Sequence, residues 1–299
     1  MSKPTIHVAI AILLHQDQVL VGWREATQHQ GNKYEFPGGK VENAETPLAA
    51  CCRETQEEVG IHLSDWHAFD VIGHEYDDVR INLHVFHAHV PTDVLSQIQA
   101  PWQWYKRDEL LDLNFPSANQ AIIQRLYWPR QIKISEQLAN LSHLPANQLM
   151  YWRVDAHQAE CIELAEVSVE HISRLIVNIE MYQQLNSIQQ QAISAIHLKQ
   201  NQVLALKAGD LSKGKRYLAA CHDLASMQHA QRIGCDAILL SPVQTTHTHP
   251  DAVALGWPQF EVLAAAVDIP VFALGGIRRD DLMLAQQHGA YGIAGIRFL

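Results

Sequence analysis

Glu54, Glu57 and Glu58 stand at positions i, i+3 and i+4, a spacing that brings three carboxylates onto one helical surface. Like charges so placed repel and weaken a helix on their own. A hard cation between them reverses the sign. Mg2+ suits the site best, because it is commonly held by a few carboxylates together with substrate phosphates; Mn2+ is the alternative. Arg53, beside Glu54, and Glu45 upstream can pair and tie the preceding loop to the helix. Three glutamates alone are ordinarily a solvated acidic face, so the case rests on the residues around them.

Those residues run from Gly39 to Ile61. The stretch opens on the turn Pro37-Gly38-Gly39 and closes on Val59-Gly60-Ile61, where Gly60 is a helix stop. Leu48, Ala49, Cys52, Thr55 and Val59 recur at helical spacing, which predicts them as the buried face. The order is Gly39, five residues, Glu45, seven residues, Arg53-Glu54, then Glu57-Glu58, one residue and Gly60. This pattern resembles the signature of the Nudix hydrolases. Thr55 departs from it, standing where that family usually carries an aliphatic residue.

The elements that must position the signature follow from apolar patterning. His7–Leu13 and Gln18–Trp23 read as strands about a polar turn, His67–His74 and Arg80–His89 as two more, and Pro101–Trp104 as a short one. A helix is expected from the Phe115–Asn119 region through Tyr127, with Ser117 as its cap. Strands, helix, strands and helix predict an α+β sandwich, the fold that the Nudix resemblance implies.

Residues 5–128 are most similar to the MutT-type, 8-oxo-dGTP diphosphatase branch, on Asn32-Lys33-Tyr34-Glu35-Phe36-Pro37-Gly38-Gly39-Lys40, Gly60-Ile61, and Phe115-Pro116 with Asn119. By position, the resemblance implies that Arg24 and His29 contact the nucleotide, and that Glu35, Phe36, Pro37 and Gly38 form the loop beside it. Asn119 matches the residue that reads the purine. Gly38 (through its carbonyl), Glu54, Glu57 and Glu58 match the metal site, and Arg53 belongs with the catalytic cluster. The implied reaction is attack of water on the β-phosphorus of a free nucleoside triphosphate, releasing diphosphate and the monophosphate. Bound magnesium neutralises the phosphate charge and positions water. Glu54 is our choice for the base that takes the water proton, a role worth ~10²–10⁴-fold.

Asn119 carries the selectivity. N7 of 8-oxoguanine bears a hydrogen, whereas N7 of guanine is an acceptor, and an amide offers both a donor and an acceptor. Ordinary guanine would leave one partner unmet, at a cost of ~1–3 kcal/mol. The plainer role for an Asn here is helix-start chemistry. Gln103 stands where the nearest relatives carry a glutamate near the metals, and a neutral amide is neither a base nor a strong Mg2+ ligand.

The second half reads differently. Gln131–Ile134, Leu149–Val154, Leu175–Ile179, Ala192–Leu198, Tyr217–Cys221, Ala237–Leu240, Pro270–Leu274 and Gly292–Ile296 are apolar runs. Amphipathic stretches such as Leu224–Arg232, Gln259–Ala266 and Asp281–His288 separate the later ones. Eight such units predict a (β/α)8 TIM-type barrel with its site at the C-terminal strand ends. Ala195-Ile196-His197-Leu198, Ala220-Cys221-His222, Ser241-Pro242-Val243 with Thr245, Thr246 and Thr248, and Ala273-Leu274-Gly275-Gly276-Ile277 resemble thiamine phosphate synthase and its TenI-type relatives.

The synthase pattern is broken at Trp152-Arg153-Val154-Asp155, where that family has an arginine and then a lysine. It is broken again around Asn178-Ile179-Glu180 and Lys199-Gln200-Asn201, which lack the magnesium aspartates. A pocket-bearing relative that binds a phosphorylated small molecule is therefore expected, rather than an active synthase. His197 and His222 fall at strand ends, where a structural role is the simpler expectation for either. The Gly275-Gly276 pair suits a tight turn as well as a phosphate cradle.

The chain has 299 residues and 47% hydrophobic content, enough for two cores. We expect a Nudix domain over 1–128 and the barrel over 129–299. No apolar run is long enough to span a membrane, and the start MSKPTIHVAIAILL followed by His15-Gln16-Asp17-Gln18 reads as strand and turn rather than a leader. Five cysteines without framework spacing suit a reducing cytoplasm. Residues 1–128 carry 9 Lys+Arg against 17 Asp+Glu, which argues against duplex nucleic acid as a partner but not against a free nucleotide. Two alternatives remain at this level: a thiamine-type or other diphosphate as substrate, and a barrel that serves as a non-catalytic sensor or scaffold.

Overall fold

The run Ala9-Ile10-Ala11-Ile12-Leu13-Leu14 has no polar position on either face, so a strand built from it must be covered on both sides. It forms the middle of β1 (Thr5–His15), the spine of the first unit. A computed structural model of the chain describes residues 3–27, 31–156, 164, 167–245 and 253–297, and the chain divides into two compact units, Met1–Trp128 with Ser212–Gly214, and Pro129–Leu211 with Lys215–Leu299.

In the first unit, β2 (Gln18–Arg24), β3 (Lys33–Glu35), β4 (Gly38–Lys40), β5 (His67–Glu75), β6 (Arg80–His89) and β7 (Gln103–Lys106) join β1 in a mixed sheet. β1 pairs parallel with β6 over Thr5 to Leu14 and antiparallel with β4, with Ala9 opposite Gly39 and Ile10 opposite Gly38. Alternation sorts its side chains. Ala9, Ala11 and Leu13 pack under α1 (Pro47–Glu54) with Ala50, Cys51, Val59 and Trp102. Ile10, Ile12 and Leu14 pack under α2 (Gln120–Leu126) with Phe36, Phe115, Ile122 and Ile123. The small alanines let α1 lie close to the sheet, which fixes the loop between β4 and that helix.

Two local expectations need correction. The buried face of α1 and the turn after it is Ala50, Cys51, Thr55 and Val59, whereas Leu48 and Ala49 are exposed and Cys52 lies on the flank. The cause is a change of pitch, since Thr55–Val59 forms a single π-helical turn that resets the phase on which a uniform 3.6-residue reading depends. Ser117 is not a cap. Ser117–Asn119 is a 3-10 turn entered from Pro116, and α2 begins only at Gln120.

The second unit is a closed barrel of eight parallel strands: β8 (Gln131–Ser135), β9 (Gln148–Trp152), β10 (Leu175–Asn178), β11 (Ala195–Leu198), β12 (Tyr217–Cys221), β13 (Ala237–Leu240), β14 (Val271–Ala273) and β15 (Gly292–Gly295). Closure is made by β15 on β8, with Ile293 opposite Gln131. Each apolar run named above overlaps one strand, with β8 extending one residue past its run and β9 starting one residue before its own, because strands buried on both faces read as apolar segments. Leu224–Ile233, Gly256–Ala264 and Leu282–Gln287 are the helices after β12, β13 and β14. The architecture is the expected α+β sandwich followed by a TIM-type barrel.

Candidate active site

The acidic turn is built from its N-terminus. Thr46 caps α1, its hydroxyl accepting the Ala49 N–H at 3.2 Å, and Pro47 occupies the first turn. Arg53 then gathers the loop: its Nε and Nη2 donate to the two Glu45 oxygens at 3.1 and 3.2 Å, and Nη2 also donates to the Lys40 carbonyl. Its Nη1 donates to Glu54 at 2.8 Å and Glu57 at 3.1 Å. The guanidinium holds the Glu45 carboxyl below its ordinary pKa, and the carboxylates raise that of Arg53. The expected Arg53–Glu45 pair is present, and it is one part of a four-residue network.

The glycine corner shapes the other side. Gly38 has φ +150° and backs onto the Ala9 carbonyl, and a Cβ on Gly39 would overlap the Glu54 carboxylate. The Gly38 N–H donates to Glu58 Oε2 at 3.0 Å. Desolvation raises the Glu58 carboxyl to about 7, and the charges of Glu35 and Glu54 push the same way, against the Gly38 hydrogen bond and Arg24. The residue as a whole is exposed, but its carboxyl is desolvated and faces the charges of Glu35 and Glu54. Glu35 is itself ion-paired with Arg24, whose Nε donates at 2.7 Å.

The structure therefore brings Arg24, Glu35, Gly38, Arg53, Glu54, Glu57 and Glu58 into one corner. Pro37 contributes its carbonyl to Ala11 N–H at 2.8 Å. His29 lies outside the described residues. Among the described residues no three His, Cys, Asp or Glu side chains converge as a ready metal site, because Arg53 holds Glu54 and Glu57 while the Gly38 amide holds Glu58. The chemistry of the donor set nonetheless fits a hard divalent cation. All its donors are carboxylate or carbonyl oxygens, and the Glu58 carboxyl is raised by desolvation and by the nearby Glu35 and Glu54 charges, both of which a bound cation would offset.

Phe36 is buried and stacked on Phe115, centroids 4.9 Å apart at 25°. Asn119, 7% exposed, follows one turn later and makes no side-chain cap hydrogen bond to α2. Helix-start chemistry thus does not account for it. Gln103 begins β7 on the exposed face, and its Oε1 accepts from the Tyr105 hydroxyl at 3.3 Å. Sequence reasoning missed Trp102, whose indole N–H donates to the Glu58 carbonyl at 2.8 Å. The available signal was generic: a buried indole needs a hydrogen-bond partner, but the sequence does not say which.

The barrel holds a cavity of about 650 Å³ at the C-terminal strand ends, lined in part by Glu136, Tyr151, Arg153, Asp155, His197 and Lys199. His197 is 6% exposed and stacked on Tyr151 at 4.3 Å. Burial, and then the Lys199 charge, lower it to about 4, so its imidazole is neutral at pH 7. Its Nδ1 is buried without a hydrogen-bond partner. His222 is exposed and bonds the Ser241 carbonyl through Nδ1 at 2.7 Å. Positive φ at Gly275 and Gly276 lets the turn pack directly on Pro242 and Gln244, which is the tight-turn role. Thr246 and Thr248 lie outside the described residues.

The comparisons with known proteins fall along the same division. A family model described as NUDIX domain matches residues 8–125, and one described as thiamine monophosphate synthase matches residues 147–299. An 8-oxo-dGTP diphosphatase of Escherichia coli K12 is 32% identical over 40% of this chain and 95% of its own length. A thiamine-phosphate synthase of Prochlorococcus marinus MIT 9303 is 32% identical over 44% of this chain but only 36% of its own length. The solved MutT protein of Methanosarcina mazei Go1 is 23% identical, covering 42% of this chain and 95% of that one, with a TM-score of 0.37. The chain belongs to the Nudix hydrolase family over its first unit and to the thiamine monophosphate synthase family over its second.

Proposed function

We propose that the first unit is a Mg2+-dependent nucleoside triphosphate pyrophosphohydrolase acting on 8-oxo-dGTP, a step of nucleotide-pool sanitation. The observation that carries this is the acidic corner, where Gly38 fixes Glu58, Gly39 makes room for Glu54, and the Glu58 carboxyl is raised by desolvation first and then by the charges of Glu35 and Glu54. A magnesium ion bound there supplies charge neutralisation for the phosphate oxygens. The chain does the rest. Arg53 keeps Glu54 and Glu57 in place, and Glu54 takes the proton of the attacking water. The new bond forms from water oxygen to the β-phosphorus, the bond from that phosphorus to the α–β bridging oxygen breaks, and diphosphate leaves 8-oxo-dGMP. Asn119, buried near the Phe36–Phe115 stack and unused as a cap, supplies the amide for O6 and N7–H of the oxidised purine. We place the chain's work in the cytoplasm; among the described residues no helix is long and apolar enough to cross a membrane.

The barrel, in this reading, binds a phosphorylated small molecule without synthase chemistry. Its cavity is lined by two carboxylates, and one of them, Glu136, is paired with Arg153 at 3.1 Å. A second reading, favoured by the thiamine-synthase kinship of the barrel, keeps the hydrolytic chemistry and makes a thiamine-type diphosphate the substrate. Turnover of 8-oxo-dGTP, dGTP and thiamine-type diphosphates by the full chain separates the two. A strong preference for 8-oxo-dGTP over dGTP is expected, and indifference to the 8-oxo group removes the first reading.

A further inference from the structure

The acidic turn is not a continuation of α1, and one of the residues that hold it, Trp102, lies outside the signature. After Glu54 the pitch widens into the π-helical turn Thr55–Val59, which ends at Gly60 with φ +82°. Thr55, the one residue that departs from the family pattern, is 1% exposed, and its hydroxyl donates back to the Cys51 carbonyl at 2.8 Å. Such back-bonding competes with the regular ladder and bends helices. Near the end of the turn the Glu58 carbonyl falls among those that have no partner within a helix. Trp102 Nε1–H meets it at 2.8 Å.

Trp102 is well placed to be a fixed point. It is 8% exposed and packs with Leu13, Leu20, Ala50, Cys51, Val59 and Ile61. Gly22 on β2 makes room for the ring: a Cβ there would stand 2.7 Å from the indole Cζ3, so the requirement for glycine is steric. Trp102 also precedes β7, which is paired to β2 with Gln103 opposite Val21. Glu58 is thus held at both ends, its carbonyl by Trp102 and its carboxylate by the Gly38 amide.

We propose that Trp102 is the positioning residue of the acidic turn, its indole N–H clamping the Glu58 carbonyl so that the Glu58 carboxylate stays aimed at Gly38. Without the clamp the π-helical turn loses a terminal hydrogen bond, and the carboxylate samples orientations away from the corner. The consequence for metal and substrate rests on the hydrolase reading above; the clamp itself does not.

The test uses the full chain with Trp102→Phe, which keeps an aromatic ring but removes the donor, and Gly22→Ala, which displaces the indole without touching the acidic turn. Amide exchange at Gly38 needs neither metal nor substrate. It should accelerate at least about tenfold in both variants, while core amides of β1 exchange as before. Mn2+ affinity, followed by the paramagnetic signal of the free ion, should weaken about tenfold, and kcat should fall by a similar factor with KM little changed. Trp102→His, which restores a ring N–H donor, should recover part of each loss. Unchanged Gly38 exchange in both variants overturns the clamp, as does general acceleration across β1, which would make Trp102 merely structural. Failure of the unaltered chain to bind Mn2+ overturns the hydrolase reading instead, and Gly38 exchange still decides the clamp.

Discussion

The acidic corner of the first unit and the cavity of the barrel solve different electrostatic problems. In the corner, Glu45, Glu54, Glu57 and Glu58 crowd one glycine turn, and Arg53 with a backbone amide keeps them apart. In the barrel, carboxylates and cations both line the cavity, beside a neutral imidazole stacked on a phenol. A site with surplus carboxylate is poised for a cation and the phosphates that follow it. A cavity with an unmet ring nitrogen beside Arg153 and Lys199 suits the phosphorylated small molecule proposed above. Two sites in one chain thus ask for different partners.

The largest effect should come from the corner. Glu58→Gln keeps shape and removes the charge, so hydrolysis of 8-oxo-dGTP should fall by ~10²–10⁴-fold, while the melting temperature holds or rises slightly because repulsion with Glu35 and Glu54 is relieved. Steady-state kinetics beside calorimetry checks both, and marked unfolding would show that Glu58 belongs to the core.

Acid should next distinguish the units. His67, His87 and His89 sit together in the first unit, with His67 and His87 5.0 Å apart between ring centroids. Burial lowers all three; neighbouring histidines and Arg107 reinforce this at His87 and His89, Arg125 adds to it at His87, and Asp65 opposes it at His67 and His89. Their folded pKa values lie below the unfolded value of about 6.5, reaching about 3 for His89. Their contribution is therefore complete above pH 6.5. It is lost as pH falls below that value, by up to about 1.4 kcal/mol per pH unit for each histidine. Hydrogen exchange at pH 7 and 5, corrected for intrinsic rates, should show β5 and β6 losing more protection than β12 and β13. Equal losses would contradict the neutral state of the cluster.

What the sequence disclosed follows the same physical line. The barrel strands were legible because burial on both faces leaves unbroken apolar runs, and the carboxylates because their offsets are local. The face of α1 was misjudged because the π-helical turn Thr55–Val59 changes the pitch, which no periodicity at 3.6 residues can show. Trp102 with Glu58, and Tyr151 with His197, were hidden because each pair is distant in the chain and meets only after strand pairing is complete. Ser117 looked like a cap because residue type suggests one, whereas Pro116 had already begun a tighter turn.

Smaller effects sharpen the contrast. Asn119→Ala should leave turnover of dGTP nearly unchanged and erode the preference for 8-oxo-dGTP by ~5–150-fold, the equivalent of one hydrogen bond worth ~1–3 kcal/mol; an unaltered ratio of kcat/KM values would refute base reading. His197→Phe removes a buried nitrogen that has no partner, so the barrel should gain about 1 kcal/mol while losing affinity for its ligand. A loss of stability, seen in urea titration, would mean that the imidazole is satisfied in solution.

The central claim is that a divalent cation at the acidic corner is required for the first unit to cleave a nucleotide. The direct measurement is 8-oxo-dGTP hydrolysis by purified chain freed of other phosphohydrolases, first in excess chelator and then after Mg2+ is restored. Activity should vanish in chelator and return with Mg2+, and should do neither in Glu58→Gln. Undiminished cleavage in chelator would contradict the account.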